Sequence, residues 1–347
     1  MKSSSRRYKV PFVNYPEHYR RIWAEVTSAM EECLARGDLI LRRQLDEFEA
    51  KLSGFVQTRH AVGVNSGTDA LLLSLKALGI GPGDEVITVA HTFVASIAAI
   101  RHLGAKPVLV DINEDDMNMD VDQVGERVTP KTRAVMPVHL NGRLCDMKHL
   151  SEIAEDNHLA IVEDAAQALG ARLDGRKGGA FGDSGCFSFY PAKILGCAGD
   201  GGAVTTNDEE LAGKIRLLRD HCVVRKTGEI VGYGYNSRLD NLQAAILSAK
   251  MEHLSEWIER RRDIAAVYGE GLQGLPVKLP PGPRENPYDV YQNYVVRVSR
   301  RDELAEHLAQ SGIETLISWR KPLHRHSALL LGYDLPVTDR VSREVLS

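Results

Sequence analysis

Short apolar segments alternate with helix-like segments through the first half of the chain, and this alternation constrains the fold more than any other feature. Apolar residues recur at helical spacing in GTDALLLSLKALG, FVASIAAIRHLG and DMKHLSEIAEDN. The same region contains four short segments of the kind that form buried strands: DEVITV, KPVLVDI, RAVMPVHL and LAIVED. Strands that are apolar on both faces need helices on both sides. The sequence therefore predicts an α/β fold with a mostly parallel sheet flanked by helices.

The pattern changes in the second half of the chain. A long helical stretch is predicted from about Leu239 to Tyr268, and the Pro- and Gly-rich segment GLPVKLPPGPRENP follows it. Beyond that segment come a strand in YQNYVVRV, a helix in RDELAEHLAQSG and another short strand. We therefore expect a large α/β domain over residues 1–250, with an N-terminal helical segment, and a smaller α+β domain over residues 251–347.

Composition argues against several classes of protein. The formal net charge is −4, so the chain lacks the basic excess that nucleic-acid binding needs. We find no apolar stretch of the roughly 18 residues that a membrane span requires. The five cysteines form no CxxC pair, and no apolar run follows the basic start MKSSSRRYKVPF, so we expect reduced thiols and a cytoplasmic location. The histidines show no metal-ligand spacing on one face, and no metal site is predicted.

The segment VNSGTDALLLSL places Ser66, Gly67 and Thr68 at the start of a predicted helix. Free backbone N–H groups and the positive end of the helix dipole can make such a position a phosphate cradle. Alternatively, Ser66 or Thr68 only caps the helix, which is the usual role of these residue types.

IVEDAAQALG places Asp164 at the end of a buried strand, and Gln167 follows three residues later. An isolated buried carboxylate is unfavourable, so Asp164 must have a partner. Two interpretations are open. The carboxylate caps a following helix, or it keeps the nitrogen of a bound heterocycle protonated.

In SFYPAKILGCAGDGGAV, Ser188 and Lys193 follow a strand and are expected at the same edge of the sheet. A buried lysine becomes a nucleophile because burial disfavours the ammonium form, whereas an exposed loop lysine is only a solvated charge. The glycines that follow, Gly199, Gly201 and Gly202, either let the backbone approach a ligand or only form a turn. Pyridoxal phosphate needs a phosphate anchor, a carboxylate at its ring nitrogen and a lysine for its aldehyde, and this combination favours Lys193 as the nucleophile.

Eight motifs follow one another along the chain in an order that resembles a known family: LDEFEAKLSGF, AVGVNSGTDALLLSLKALGIGPGDEVIT, TFVAS, GAKPVLVDI, VEDAAQALGA, GDSGCFSFYPAKILGCAGDGGAVTTND, GYNSRLDNLQAAIL and PLH. They are similar to those of the DegT/DnrJ sugar aminotransferases, which are pyridoxal phosphate enzymes of the aspartate aminotransferase fold. The resemblance implies the type I fold of pyridoxal phosphate-dependent transferases.

The resemblance also implies roles at the cofactor. Lys193 would bond to the aldehyde and then carry the proton between substrate carbon and cofactor carbon. Asp164 would hold the pyridine nitrogen protonated, and Gln167 would contact the ring hydroxyl or lie close to it. Phosphate binding and ring stacking fall on four further residues: Gly67, Thr68 and Ser188 for the phosphate, and Phe93 for the ring.

The family resemblance implies a homodimer with shared active sites, because the asparagine of its GYN motif reaches the phosphate bound by the neighbouring subunit. That residue is Asn236 here. Arg238 would lie at the mouth of the site, where a diphosphate or carboxylate of the substrate could meet it, and Tyr190 is a second candidate for contact with the substrate.

The implied reaction transfers the amino group of L-glutamate to a keto sugar carried on a nucleotide diphosphate, for surface polysaccharide or deoxyaminosugar synthesis. Lys193 favours this reaction over the dehydratase branch, in which histidine replaces the lysine. We expect amination at C3, with C4 as the rival. The identity of the sugar stays open, because this chain departs from its relatives at positions where they meet the sugar. Asn141, Ser318 and Trp319 differ from the residues that relatives usually carry there, and RGDLILR lacks the tyrosine and glycine common in that segment.

Three other functions stay open. One is an aminotransferase acting on a cyclitol or an aminodehydroquinate-type ring. Another is a regulatory protein that binds the cofactor without turnover, although an intact lysine, aspartate and phosphate cradle argue against it. The third is an α/β binding protein that takes up no cofactor.

Overall fold

Within residues 8–347, which the computed structural model describes, seven strands form one sheet. They are β1 (His60–Val64), β2 (Glu85–Val89), β3 (Lys106–Val110), β4 (Thr132–Val135), β5 (Ala160–Asp164), β8 (Ser184–Ser188) and β9 (Gly202–Thr206). The other six strands of these residues pair in three small sheets: β6 (Arg172–Leu173) with β7 (Arg176–Lys177), β10 (Val223–Val224) with β11 (Glu229–Ile230), and β12 (Val296–Arg297) with β13 (Val345–Leu346). The first seven residues, which carry part of the basic start, lie outside the described range.

The large sheet has the strand order β1-β9-β8-β5-β4-β2-β3. Strand β9 runs antiparallel to both of its neighbours, β1 and β8, and the remaining adjacent pairs are parallel. The predicted α/β fold with a mostly parallel sheet is confirmed.

Helices flank this sheet. The described part of the chain contains twelve α-helices: α1 (Tyr15–Arg21), α2 (Trp23–Arg36), α3 (Arg43–Val56), α4 (Gly67–Ala77), α5 (Val94–His102), α6 (Val124–Arg127), α7 (Met147–Asp156), α8 (Glu209–Leu218), α9 (Asn241–Met251), α10 (Leu254–Gly271), α11 (Arg301–Gln310) and α12 (Pro336–Glu344). Short 3-10 turns occupy Val121–Gln123, Leu140–Gly142, Leu323–Arg325 and Ser327–Leu329.

Successive residues of one strand belong to apolar clusters on opposite faces of the sheet. In β8, Phe187 joins a cluster with Phe48 of α3, whereas Cys186 joins a different cluster with Leu73 of α4. Side chains of a strand point alternately to its two faces, so a strand that is apolar throughout contributes to both clusters. This is why the apolar segments in the sequence indicated a sheet covered on both sides.

The topology brings the ends of three strands to one edge of the sheet. Strands β5 and β8 are parallel neighbours, with Asp164 opposite Cys186. Strand β1 has the same direction, because β9 is antiparallel to both β1 and β8. The start of α4, the end of β5 and the loop after β8 therefore lie at one edge, where open α/β sheets bind ligands.

Two details differ from expectation. The predicted helical stretch from Leu239 to Tyr268 consists of two helices, α9 and α10, with a break at Glu252 and His253. Only Val296 and Arg297 of YQNYVVRV form a strand. The division into two domains near residue 250 stays a prediction. Among residues 8–347, none of the helices has both the length and the apolar character needed to cross a membrane.

Candidate active site

The start of α4 forms the first part of the site. Ser66 caps the helix, and its Oγ accepts the backbone N–H of Asp69 at 3.1 Å. Ser66 therefore caps the helix, and the phosphate-binding role of this helix start stays a prediction. Because the first N–H groups of a helix have no partner inside it, those of Gly67 and Thr68 are available to a group beyond the end of the helix.

Glycine lets three backbone segments meet beside α4. A Cβ on Gly67 would lie 2.6 Å from the Cβ of Ser188, at the end of β8. A Cβ on Gly202, at the start of β9, would lie 2.4 Å from the carbonyl carbon of Ser66. Contacts this short do not occur, so both positions require glycine. Gly202 therefore closely approaches the protein backbone, and because Gly202 pairs with Ser188 across β8 and β9, Ser188 lies directly beside Gly67.

Asp164 is buried at the end of β5, and no helix begins after it. Its Oδ2 accepts a hydrogen bond of 2.8 Å from Ser96 Oγ, and its Oδ1 accepts the Ala166 N–H at 3.3 Å. The helix-cap interpretation is therefore wrong. Burial raises the pKa of Asp164, and the hydrogen bonds and the positive charge of Lys193 oppose that rise. The carboxylate is held in one orientation at the ligand-binding edge of the sheet.

Lys193 lies in the loop between β8 and β9 and is half-buried. Burial lowers the pKa of Lys193, and the negative charge of Asp164 counteracts part of this effect. A lowered pKa increases the fraction of neutral amine near neutral pH, which is the nucleophilic form. Lys193 and Ser188 line one small cavity, so the expectation that both lie at the same edge is confirmed.

Gln167 lines the same cavity as Lys193. Its Oε1 accepts the backbone N–H of Asn141 at 2.8 Å, and Asn141 has a left-handed backbone with φ of 57°. Asn141 therefore contacts the residue that is expected beside the cofactor ring.

Two aromatic side chains near this edge are exposed in the single chain. Phe93 precedes α5 and is 61% exposed, and its carbonyl accepts the backbone N–H of Ser96, the partner of Asp164, at 3.3 Å. Tyr190 is 55% exposed and lies three residues before Lys193. Phe93 has free surface beside the buried Ser96, and Tyr190 has free surface in the loop that carries Lys193, which suits contact with a flat ligand or its substrate.

The GYN segment lies close to α4 of its own chain through Ser237, whose Oγ donates to Asp69 Oδ2 at 2.7 Å. Asn236 is exposed, and Arg238 donates to Asp220 Oδ1 at 3.0 Å. The reach of Asn236 into a neighbouring subunit stays a prediction.

Sequence reasoning missed two residues of this site. Ser96, the donor to Asp164, carries the single hydroxyl group in the apolar segment FVASIAAI. A single polar side chain in such a segment could have indicated that it has a buried polar partner. Gln292 lines the cavity with Lys193 and lies in YQNYVVRV, where nothing in the local sequence distinguishes it. In the described part of the chain, no three His, Cys, Asp or Glu residues are grouped so that they could hold a metal ion.

Curated relatives match the chain over almost its full length. The dTDP-3-amino-3,4,6-trideoxy-alpha-D-glucose transaminase of Streptomyces venezuelae is 45% identical, over 100% of this chain and 92% of the relative. A protein of Geobacillus stearothermophilus named as a pleiotropic regulatory protein is 41% identical, over 97% of this chain and 92% of the relative.

Solved structures agree with these matches. The crystal structure of S. venezuelae DesV in complex with a ketimine intermediate has a TM-score of 0.94 and 45% identity, covering 97% of this chain and 92% of that chain. Other similar structures hold pyridoxamine phosphate or are described in pyridoxal phosphate and pyridoxamine phosphate forms. The sequence model of the DegT/DnrJ/EryC1/StrS aminotransferase family matches residues 20–347. The chain therefore belongs to this family of pyridoxal phosphate-dependent aminotransferases.

Proposed function

We propose that this protein transfers the amino group of L-glutamate to the 3-keto group of a sugar carried on a nucleoside diphosphate, for surface polysaccharide or deoxyaminosugar synthesis. The observation that carries the proposal is the position of Lys193, half-buried in a cavity at the sheet edge where Asp164 and the start of α4 meet. The name of the S. venezuelae relative, a 3-amino sugar transaminase, supports amination at C3 rather than C4.

The residues present fit pyridoxal phosphate. The N–H groups at the start of α4 and the hydroxyl of Ser188 suit a phosphate, and the glycine contact between Gly67 and Ser188 keeps them adjacent. The buried carboxylate of Asp164 suits a protonated ring nitrogen, and the exposed face of Phe93 suits the ring. Gln167 lies in the cavity wall where the ring hydroxyl is expected.

When bound, the cofactor supplies an electron sink for the negative charge that develops on the substrate carbon. Asp164 keeps the proton on the ring nitrogen, because its carboxylate is held by Ser96 and the Ala166 N–H. Lys193 Nζ accepts the proton from the carbon that bears the amino group. Its lowered pKa leaves a larger fraction of the amine unprotonated and able to do so.

The proposed assembly is a homodimer in which each subunit completes the site of the other. The segment before Asn236 carries apolar side chains with little cover in the single chain: Ile230 at 71% exposed, Val231 at 52% and Tyr233 at 97%. Apolar side chains grouped in this way suit contact with a second copy. Asn236 follows directly and is itself exposed, so it can reach a phosphate held by the other subunit.

The substrate is proposed to enter past Tyr190 and Arg238. Asn141 and Trp319 differ from the residues that relatives usually carry at these positions. Asn141 contacts Gln167, and Trp319 packs edge-on against His91 with ring centroids 5.3 Å apart. His91 lies two residues before Phe93 in sequence, so each of these two residues contacts a segment that carries a proposed cofactor residue. We propose that they determine which sugar is accepted.

The test begins with the visible absorbance of the protein loaded with pyridoxal phosphate, before and after glutamate, beside Lys193→Ala. We expect a lysine-dependent band that glutamate bleaches, and then amination of a nucleotide-linked 3-keto sugar faster than of its 4-keto isomer. A band that persists in Lys193→Ala would contradict the role of Lys193. A wild-type band that ignores glutamate would contradict the donor, and preference for the 4-keto sugar would contradict amination at C3.

The regulatory alternative has a specific observation in its favour, the name of the G. stearothermophilus relative. Such a protein would bind the cofactor yet release no aminated sugar from any keto sugar offered with glutamate. Product detection by mass spectrometry therefore separates the two functions.

A further inference from the structure

The side-chain amide of Gln292 bonds to the backbone on both sides of Lys193. Its Oε1 accepts the N–H of Ile194 at 3.0 Å, and its Nε2 donates to the carbonyl of Ala192 at 2.9 Å. These two groups belong to the peptide units that flank the Cα of Lys193. One amide therefore restrains the backbone immediately before and immediately after the lysine.

Lys193 needs such a restraint because its loop has no regular structure of its own. Residues 189–201, between β8 and β9, contain neither helix nor strand. Inside the loop, Lys193 N donates to the carbonyl of Tyr190 at 2.9 Å. The Lys193 amine is carried on a four-carbon side chain, so the peptide units on either side of its Cα determine which region the amine can reach.

Gln292 is itself held firmly. Arg261 of α10 donates to the carbonyls of Tyr291 and Gln292 at 3.1 and 3.2 Å. Val290 N donates to the carbonyl of Gly142 at 2.9 Å, and a Cβ on Gly142 would lie only 2.7 Å from Gln292 N. Gln292 is 9% exposed. Its amide is therefore presented to the lysine loop from a fixed backbone that packs against α10 and the Gly142 turn.

We propose that Gln292 is a positioning residue: by holding the backbone of Lys193, Gln292 directs the lysine amine toward the reacting carbon of the cofactor and substrate. The inference rests on the proposed role of Lys193 as the residue that bonds to the cofactor. Proximity and orientation control such reactions strongly, and a displacement of about 1 Å can slow them by roughly a hundredfold. Loss of both hydrogen bonds is therefore expected to affect the rate of reaction at Lys193 more than the binding of the cofactor.

The chain offers a matched control. Gln243 of α9 also accepts a backbone N–H of this loop, that of Ala198, at 2.9 Å. Ala198 lies five residues beyond Lys193, so Gln243 stabilises the same loop without touching the peptide units of the lysine. A general weakening of the loop affects both glutamine variants, whereas a positioning defect affects Gln292 alone.

The experiment compares Gln292→Met and Gln243→Met with the wild type. Pyridoxal phosphate is added to cofactor-free protein, and the absorbance change that follows binding is recorded while the Lys193 amine and the aldehyde condense with loss of one water. Affinity for pyridoxamine phosphate, which has no aldehyde and does not bond to Lys193, is measured in parallel. Hydrogen–deuterium exchange of the Ile194 amide checks the bond itself.

We expect the condensation rate in Gln292→Met to fall by about tenfold to a hundredfold, while affinity for pyridoxamine phosphate stays within threefold of the wild type. The Ile194 amide should be protected in the wild type and lose that protection in Gln292→Met. Gln243→Met should match the wild type in rate and affinity.

A Gln292→Met rate within threefold of the wild type overturns the inference, as does an equal slowing in both glutamine variants. So does a parallel loss of pyridoxamine phosphate affinity, since this would indicate a collapsed site. A wild type that shows no condensation with Lys193 instead refutes the proposed role of the lysine, so the two failures are distinct.

Discussion

Ser96 Oγ donates a hydrogen bond of 2.8 Å to Asp164 Oδ2, and both side chains are buried. Burial raises the pKa of Asp164, whereas the bond from Ser96 lowers it by favouring the ionised carboxylate. Thr92 Oγ1 lies 2.9 Å from Ser96 Oγ and is itself buried, so it extends this polar chain by one residue. The ionised state of the proposed ring-nitrogen partner therefore depends on a neighbouring hydroxyl.

Ser96→Ala is expected to move the acid limb of the pH–rate profile for the reaction with glutamate upward by about one pH unit. A hydrogen bond to a charged group contributes about 1.5–3 kcal/mol, and one pKa unit corresponds to about 1.4 kcal/mol. The reaction needs the carboxylate, so activity is present above the pKa of Asp164 and is lost as pH falls through it. Without Ser96 that loss should begin at a higher pH. Single-turnover rates from pH 5 to 8.5 measure the limb.

The control is Ser74→Ala, which removes another buried serine hydroxyl, one that faces Cys186 at 3.3 Å instead of Asp164. Its acid limb should coincide with that of the wild type. If the limb of Ser96→Ala also stays in place, the ionisation of Asp164 does not limit the reaction.

Gly67→Ala is expected to weaken binding of pyridoxamine phosphate by about tenfold or more. The new Cβ would lie 2.6 Å from the Cβ and 3.1 Å from the Cα of Ser188, so the start of α4 and the end of β8 must separate. Overpacking of this kind costs about 1–3 kcal/mol, and 1.4 kcal/mol corresponds to a tenfold change in affinity. Isothermal titration calorimetry gives the affinity.

Gly213→Ala is the matched control for Gly67→Ala, because Gly213 lies in α8 and a Cβ there meets nothing within 4 Å. It should leave cofactor affinity unchanged and stabilise the protein by about 0.5–1 kcal/mol, as alanine does in a helix. Unchanged affinity in Gly67→Ala would place the phosphate elsewhere.

Local patterns were sufficient to predict the sheet and the principal site residues. Strands β2, β3 and β5 are short apolar segments, and their ends determine where Asp164 lies. The sequence did not reveal that α9 and α10 are separate helices. The break at Glu252 and His253 contains no glycine or proline, so it depends on tertiary packing rather than on a local stop signal.

The contacts that organise the site were beyond local prediction. Gln292 lies 98 residues from Ile194 in sequence, and its bond to the loop exists only after the backbone near Gly142 and Arg261 has packed. Ser96 and Asp164 are 68 residues apart and meet because α5 packs beside the end of β5. Spacing in sequence carries information about one element, whereas these bonds join separate elements.

Mixed dimers test whether Asn236 acts on the neighbouring subunit. Asn236→Ala and Lys193→Ala are each expected to be nearly inactive. In a mixed dimer both defects fall in one site and the other site is intact, so random mixing should restore about a quarter of the wild-type sites. The activity of co-expressed protein, purified without selecting for mixed dimers, measures this. If Asn236 served its own subunit, every site would carry one defect and mixing would restore nothing.

Lys250 of α9 is buried, at 3% exposed, and its Nζ donates to the carbonyl of Gly196 at 2.5 Å and lies 5.1 Å from the centre of the Tyr19 ring. Burial lowers the pKa of Lys250 to about 8, from an ordinary value of 10.5. Below pH 8 the lysine is protonated in both folded and unfolded states, and burial of its charge destabilises the fold. Between pH 8 and 10.5 the unfolded state binds more protons, so its contribution to stability rises with pH.

Urea unfolding of cofactor-free wild type and Lys250→Met at pH 8.0 and 9.5 tests this titration. Between pH 8.0 and 9.5, the free energy of unfolding should rise by roughly 1.5 kcal/mol more in the wild type than in the variant, because each pKa unit corresponds to about 1.4 kcal/mol. The control is Lys148→Met, which removes an exposed lysine of α7. The difference in unfolding free energy between it and the wild type should be the same at both pH values. A wild-type advantage independent of pH would mean that Lys250 titrates as an ordinary lysine and that Gly196 and Tyr19 hold it without excluding water.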